Sequence, residues 1–254
     1  TECGLTISQR VELMARVADA VQHAQRKGVI HRDLKPANIL VVAMPADSIG
    51  QPKILDFGVS RLIERGDRTR TEATHAGSFL GTIAYMSPEQ LSGRPDAVDV
   101  RSDVYALGAN LFQLLGDRPP HDVADLSLID AARRVSEHDA PHLGTIAAAC
   151  RGDLETIVAT ALARDVDRRY GSASDLAAEL RRYLSDQPIQ ARPATAFYHA
   201  RKFARRHTGA VVTSAVALVA LLAGLSLAIA GFVSANAESE AKDAALSDAE
   251  AERA

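Results

Sequence analysis

From Gly209 to Val233 the chain runs 25 residues without a charge, and only Thr213, Ser214 and Ser226 carry polar side chains. As a helix, at about 1.5 Å per residue, this run is longer than the ~30 Å hydrocarbon core of a bilayer and crosses it with some tilt. A buried core helix is the alternative, but uncharged runs of 18 or more residues are seldom soluble. The sequence therefore predicts a single transmembrane helix over 209–233. Ahead of it stands a basic cluster, Arg201-Lys202-Phe203-Ala204-Arg205-Arg206-His207. Behind it come six acidic residues (Glu238, Glu240, Asp243, Asp248, Glu250, Glu252) against Lys242 and Arg253. The positive-inside rule then puts the preceding part in the cytoplasm, on the inner face of the cell membrane, with residues 234–254 outside as an Ala/Glu-rich helical stalk. Dimerisation through that stalk would give a homodimer.

The part before the apolar run must fold on its own. With 47% apolar residues in 254, the chain has enough material for a sizeable core, and its net charge of −3 argues neither for nor against nucleic acid. Cys3 and Cys150 lie far apart with no Cys-x-x-Cys, so neither a disulfide framework nor a zinc site is indicated, which suits a reducing compartment. No signal-peptide pattern opens the sequence. The basic cluster has no aromatic platform or reading helix beside it, so a nucleic-acid partner is not expected.

Taken in order, Thr6-Ile7-Ser8-Gln9 reads as a capping box, and Val11, Met14, Ala15, Ala18 and Val21 recur at helical spacing until Lys27-Gly28. Ile39–Val42 and Lys53–Leu55 are short aliphatic runs across a polar Pro/Gly loop and predict a small hairpin. Residues 59–86 turn polar and read as a mobile segment. Asp99–Leu115, Leu126–Val135, Leu154–Ala163 and Leu176–Leu184 predict helices, the last capped by Ser172-x-x-Asp175. Pro188-Ile189-Gln190-Ala191-Arg192-Pro193 is a Pro-punctuated connector that ends the globular part.

The chemistry concentrates in His31-Arg32-Asp33-Leu34-Lys35-Pro36-Ala37-Asn38-Ile39-Leu40 and, eighteen residues after Asn38, Asp56-Phe57-Gly58. Phosphoryl transfer to a hydroxyl needs a carboxylate to orient the hydroxyl, a cation against the phosphate, and oxygen ligands for a divalent metal. Asp33, Lys35, Asn38 and Asp56 are residues of those types. The two stretches resemble the catalytic loop and the Asp-Phe-Gly motif of eukaryotic-like protein kinases. Further along, Gly81-Thr82, Ser87-Pro88-Glu89, Asp103 with Gly108, and Asp165-Val166-Asp167-Arg168-Arg169 resemble later motifs of the family in order and spacing. Residues 5 to about 185 are thus similar to the large lobe of a bacterial serine/threonine protein kinase.

The resemblance implies an α+β, protein-kinase-like fold: a mainly helical C-terminal lobe with a short β-hairpin. The implied domain layout is 1–185 for the lobe, 186–208 for the linker and basic juxtamembrane segment, then the membrane helix and the stalk. It implies ATP and Mg²⁺, with protein Ser or Thr hydroxyls as acceptors. Asp33 would act as orienting base and Lys35 as phosphate contact. Asn38 and Asp56 would be metal ligands, and Thr82 would tie the substrate-docking segment to Asp33 and Lys35. Arg32 would pair with a phosphate on Thr74, or on Thr71 or Thr69, and so order the segment. His31, Phe57, Gly58, Asp103 and a Glu89–Arg169 ion pair would be structural.

Three departures stand against the family pattern: Ser87 and Val166 replace the usual Ala and Pro, and only six residues precede the first helix. No Gly-x-Gly-x-x-Gly occurs, and the only Lys before the catalytic loop is Lys27. The small lobe is absent from these residues, as in a fragment or a natural truncation. The chain alone is therefore expected to have little or no kinase activity. A membrane-tethered, catalytically inactive scaffold is the alternative to the enzyme.

Overall fold

The computed structural model describes residues 4–45, 47–57, 76–192, 195, 198, 202 and 207–251. Two compact units divide the chain, Thr1–His199 and Ala200–Ala254.

The first unit opens with α1 (Ile7–Gln25). Its capping box is formed in both directions: Gln9 N donates to Thr6 Oγ1 at 3.3 Å and Thr6 N donates to Gln9 Oε1 at 2.9 Å. Val11, Met14, Ala15, Ala18 and Val21 are buried, and Leu13 and Val17 widen the stripe. The helix thus packs on more than one side, against the hairpin and two later helices. Strands β1 (Ile39–Met44) and β2 (Asp47–Ile54) pair antiparallel, with Ile39 opposite Ile54 and Val42 opposite Gln51.

The second strand is longer than its aliphatic run, continuing back through Pro52 and Gly50. Pro52 is tolerated because a two-stranded sheet leaves each strand an open edge, where the missing N–H costs no ladder bond. Gly50 has φ +82°, and a Cβ there would stand 2.8 Å from Val42 O. Arg16 on α1 fastens the strand start through an ion pair with Asp47 and a 3.3 Å bond to Gly50 O.

After the hairpin come α2 (Ala76–Ile83) and the single turn α3 (Pro88–Leu91). The polar mobile stretch expected up to Met86 therefore ends in a helix, whose last residue Ile83 is 2% exposed. Burying the apolar end of that stretch outweighs the turn-forming tendency of Gly81. Helix α4 (Val100–Gly116) is the axis of the lobe: Val104, Leu107, Ala109, Leu111 and Phe112 are wholly buried. Gly108 lets it approach α7 (Asp153–Ala161), for a Cβ there would sit 2.8 Å from that of Ala161. Between them lie α5 (Leu128–Glu137) and the short α6 (Leu143–Ile146); α8 (Ala173–Leu184) closes the lobe against α1. Ser174 N donates to Gln22 Oε1 across that contact, at 2.9 Å.

An ion pair fastens the segment after α2 to the bottom of the lobe. Glu89 accepts both arms of Arg169, Nη1 to Oε1 at 2.6 Å and Nη2 to Oε2 at 2.8 Å, with the Arg169 side chain fully buried. The remaining Arg169 donors reach the carbonyls of Ala163, Arg164 and Arg101, and the guanidinium lies over the Tyr105 ring. Burial pushes the Glu89 carboxyl up, but the bonds from Arg169 and Ser102 outweigh it, so its pKa is net lowered.

The second unit contains α9 (Thr208–Ala251). Its segment Val212–Phe232 is long and apolar enough to cross a membrane, and none of it is buried.

Arg169→Met should destabilise the lobe by about 3–5 kcal/mol, because it leaves the buried Glu89 carboxylate unpaired. Urea unfolding checks this, and adding Glu89→Leu should recover part of the loss. With the Glu89 pKa lowered, this pair's stability is present above the ordinary value of 4.5 and is lost as pH falls through the folded value. A separate acid-sensitive group is His121, 4% exposed, whose pKa is lowered to about 4 by burial first and by Arg134 and His138 second. Between pH 6.5 and 4 the unfolded chain takes up a proton that the folded chain refuses, so stability falls by up to about 3 kcal/mol on acidification. His121→Leu should flatten that part of a urea-midpoint against pH curve.

Candidate active site

The loop 31–38 hangs between α1 and α4, and a buried carboxylate holds it. Asp103, in the first turn of α4 and 1% exposed, accepts Arg32 N through Oδ1 at 2.9 Å and His31 N through Oδ2 at 3.0 Å. Gln25, the last residue of α1, adds its Nε2 to Oδ2 at 3.1 Å and to Val100 O at 3.2 Å. Burial raises the Asp103 pKa, and the three donors pull against it. Two further amides grip the loop from outside: Gln90 Nε2 donates to Arg32 O at 2.7 Å, and Asn110 Nδ2 to Leu34 O at 3.2 Å. Gln25, Gln90 and Asn110 escaped the sequence reading. Gln25 and Asn110 give only the signal of a polar residue on an otherwise apolar helical face, and Gln90, in a single helical turn, gives none; each resembles an ordinary surface position until its contacts are known.

The local hydrogen bonds fix the geometry of the loop. Asp33 N donates to His31 Nδ1 at 3.3 Å, so Nε2 carries the ring proton and donates to Leu55 O at 2.9 Å. Leu55 N in turn donates to Asn38 O at 2.9 Å. These bonds join the loop to the residue just before Asp56. The Phe57 ring stands 4.7 Å from that of His31, tilted by 51°. Arg32 and Asp56 both adopt the left-handed region, φ +68° and +55°. Such conformations cost of order 1 kcal/mol for residues with a Cβ, and the surrounding bonds hold them in place.

Four of the expected site residues meet. Asn38 Nδ2 donates to Asp33 O at 2.7 Å and to Asp33 Oδ2 at 3.0 Å. Lys35 Nζ lies 3.1 Å from Asp33 Oδ2 and donates to Thr82 Oγ1 at 3.0 Å. Both Asp33 atoms facing Asn38 are acceptors, so the amide nitrogen must face them and the amide oxygen is left to point away. Asp56 follows Leu55, whose N donates to Asn38 O, and its carboxylate is exposed, with no side-chain hydrogen bond among the described residues. No three His, Cys, Asp or Glu side chains among the described residues form a preformed metal cage. By donor type, a hard divalent ion would suit the Asn38 amide oxygen and the Asp56 carboxylate. Gly58, Thr69, Thr71 and Thr74 lie outside the described residues. Arg32 Nε is buried and has no partner among the described residues.

This geometry agrees with comparison to known proteins. The family model described as the protein kinase domain matches residues 1–180. Serine/threonine-protein kinase PknB of Mycobacterium leprae is 37% identical over 187 residues, covering 72% of this chain and 27% of that protein. PknB of Mycobacterium tuberculosis is 35% identical over 195 residues (75% and 29%), and a probable serine/threonine-protein kinase of Streptomyces coelicolor is 35% identical over 185 residues (72% and 26%). The chain thus spans less than a third of the length of these relatives. In fold it resembles the crystal structure of a double mutant of the Mycobacterium tuberculosis PknI kinase domain, with a TM-score of 0.51 at 22% identity, over 71% of this chain and 57% of that one. A helix-rich lobe with one short hairpin, a loop held by a buried carboxylate and a family match across most of its length lead to one conclusion: the chain belongs to the protein kinase family.

Proposed function

We propose that this chain is the large lobe of a membrane-anchored kinase that transfers the γ-phosphate of ATP to Ser or Thr hydroxyls of proteins. The observation that carries the reading is the hydrogen-bonded group of Asp33, Lys35, Asn38 and Thr82. Asp33 Oδ2 is occupied by Asn38 and Lys35, while Oδ1 takes no hydrogen bond among the described residues and is free to orient a substrate hydroxyl and accept its proton. Lys35, shared between Asp33 and Thr82, screens the transferring phosphate and brings the docking segment to the reacting centre. That contact favours Ser or Thr acceptors, and the relatives carry serine/threonine-protein kinase in their names.

Asn38, through its amide oxygen, and Asp56 would hold Mg²⁺, which when bound neutralises charge on the transferred phosphoryl group. The Arg32 Nε, without a partner among the described residues, supports a regulatory place for that residue, receiving a phosphate on Thr74, Thr71 or Thr69. Val212–Phe232 would anchor the protein, with the basic residues before it keeping the lobe cytoplasmic and residues 234–254 outside as a stalk suited to dimerisation. The boundaries 1–185, 186–208, 209–233 and 234–254 go with that layout.

In the full reading frame, Asp33→Asn should lower kcat for Mg-ATP-dependent phosphorylation by about 10²–10⁴-fold with thermal stability nearly unchanged. Phosphoamino-acid analysis should find the label on Ser or Thr. Transfer that survives Asp33→Asn undiminished would refute the assignment. Residues 1–254 alone should transfer little.

A further inference from the structure

The peptide unit between Arg32 and Asp33 is clamped at both ends. Its carbonyl, Arg32 O, accepts Gln90 Nε2 at 2.7 Å, and its amide, Asp33 N, donates to His31 Nδ1 at 3.3 Å. The next two carbonyls of the loop are gripped by amides as well, Asp33 O by Asn38 Nδ2 at 2.7 Å and Leu34 O by Asn110 Nδ2 at 3.2 Å. Gln90 differs from those two in where it stands. It belongs to α3, the turn that the Glu89–Arg169 pair fastens to the bottom of the lobe, and not to the loop or to α4. Its amide has one orientation open to it. Ser87 N and Ser87 Oγ donate to Gln90 Oε1 at 3.0 and 3.1 Å, which leaves Nε2 to face Arg32 O. Ser87 is wholly buried, so water does not compete for these bonds. The serine that stands where the family usually has alanine thereby acquires a role: its hydroxyl helps to orient the Gln90 amide.

The clamp matters because of the backbone it holds. Arg32 sits at φ +68°, a conformation that a residue with a Cβ leaves when nothing supports it. Asp103 fixes the amides of His31 and Arg32, which lie upstream of the 32–33 peptide plane and do not set its tilt. Rotation of that plane would swing the Asp33 side chain with it, and the Gln90 bond opposes the rotation. We propose that Gln90, oriented by Ser87, is a positioning residue for Asp33: it ties the peptide plane that carries Asp33 to the segment seated by Glu89 and Arg169. The Lys35–Thr82 bond joins the loop to the stretch ahead of α3 through side chains, and Gln90 joins it to α3 through the backbone. The consequence for phosphoryl transfer rests on the reading of Asp33 as the orienting base; the clamp itself rests on the hydrogen bonds alone.

Hydrogen exchange on residues 1–254 in detergent micelles separates the clamp from general stability. Gln90→Leu should speed exchange of the Asp33 amide about 10-fold, while the amides of His31 and Arg32, held by Asp103, stay within about 2-fold of the wild type. Ser87→Ala, which removes one of the two donors to Gln90 Oε1, should speed Asp33 about 3-fold. Should Gln90→Leu not fold, Gln90→Glu takes its place with the same expectation, since it keeps the Ser87 bonds and sets an oxygen against Arg32 O. In the full reading frame, Gln90→Leu should lower kcat about 10-fold and leave the KM for ATP unchanged. An Asp33 amide unmoved by Gln90→Leu, or equal acceleration at His31, Arg32 and Asp33, overturns the clamp. Normal kcat in Gln90→Leu, where Asp33→Asn abolishes transfer, overturns the positioning role. Transfer that survives Asp33→Asn refutes instead the reading of Asp33, and the exchange pattern still decides the clamp.

Discussion

The Asp103 carboxylate is the point on which the rest of the lobe depends. It lies in the first turn of α4, where the helix dipole favours a negative charge, but it is removed from water. It is tolerated because the amides of His31 and Arg32 and the side chain of Gln25 converge on it. The same bonds hold Arg32 in a left-handed conformation that an unsupported loop would leave. One buried charge thus fixes the end of α1, the start of α4 and the loop between them. A loop held at its backbone can present short side chains, Asp33 and Asn38, without relying on their rotamers for position.

The same device recurs across the lobe. Glu89 is compensated by Arg169 and Ser102, and Glu179 by the backbone of residues 190 and 191. In each case an acidic side chain on a helix or turn is buried and takes donors from outside its own element. The apolar core around α4 supplies cohesion without direction; these carboxylates supply direction, since each accepts only a particular backbone course. Strong local order at the loop of residues 31–38 is therefore built from groups other than Asp33, Lys35 and Asn38 themselves.

Chemistry at the loop depends on how few oxygens are left over. Asn38 spends its nitrogen on Asp33, and Asp33 spends one oxygen on Asn38 and Lys35. Left over are one Asp33 carboxylate oxygen and the Asn38 amide oxygen, the two atoms that the proposed function assigns to a hydroxyl and a metal ion. His31 ties this loop through Leu55 to the residue before Asp56, so the two metal-ligand candidates share a single backbone frame.

Much of this was legible in the residues themselves. The capping box at Thr6, the apolar stripe of α1, the catalytic-loop motif and the uncharged run after Gly209 are each written within a short stretch of chain, so local rules suffice to read them. Other features depended on contacts that spacing does not encode. Pro52 and Gly50 look like turn residues and sit in a strand because the open edge and a left-handed position accept them. Gln25, Gln90 and Asn110 look like surface amides and are hydrogen-bond donors to the loop. The Pro-rich connector looks like the end of the fold, yet the buried Glu179 carboxylate gathers its backbone. Sequence alone determined the family, the candidates for the chemistry and the candidate membrane span, because short-range pattern and side-chain type carry those. Tertiary structure alone decided which buried charges are compensated and by whom, because that depends on which distant segments share a space from which water has been excluded.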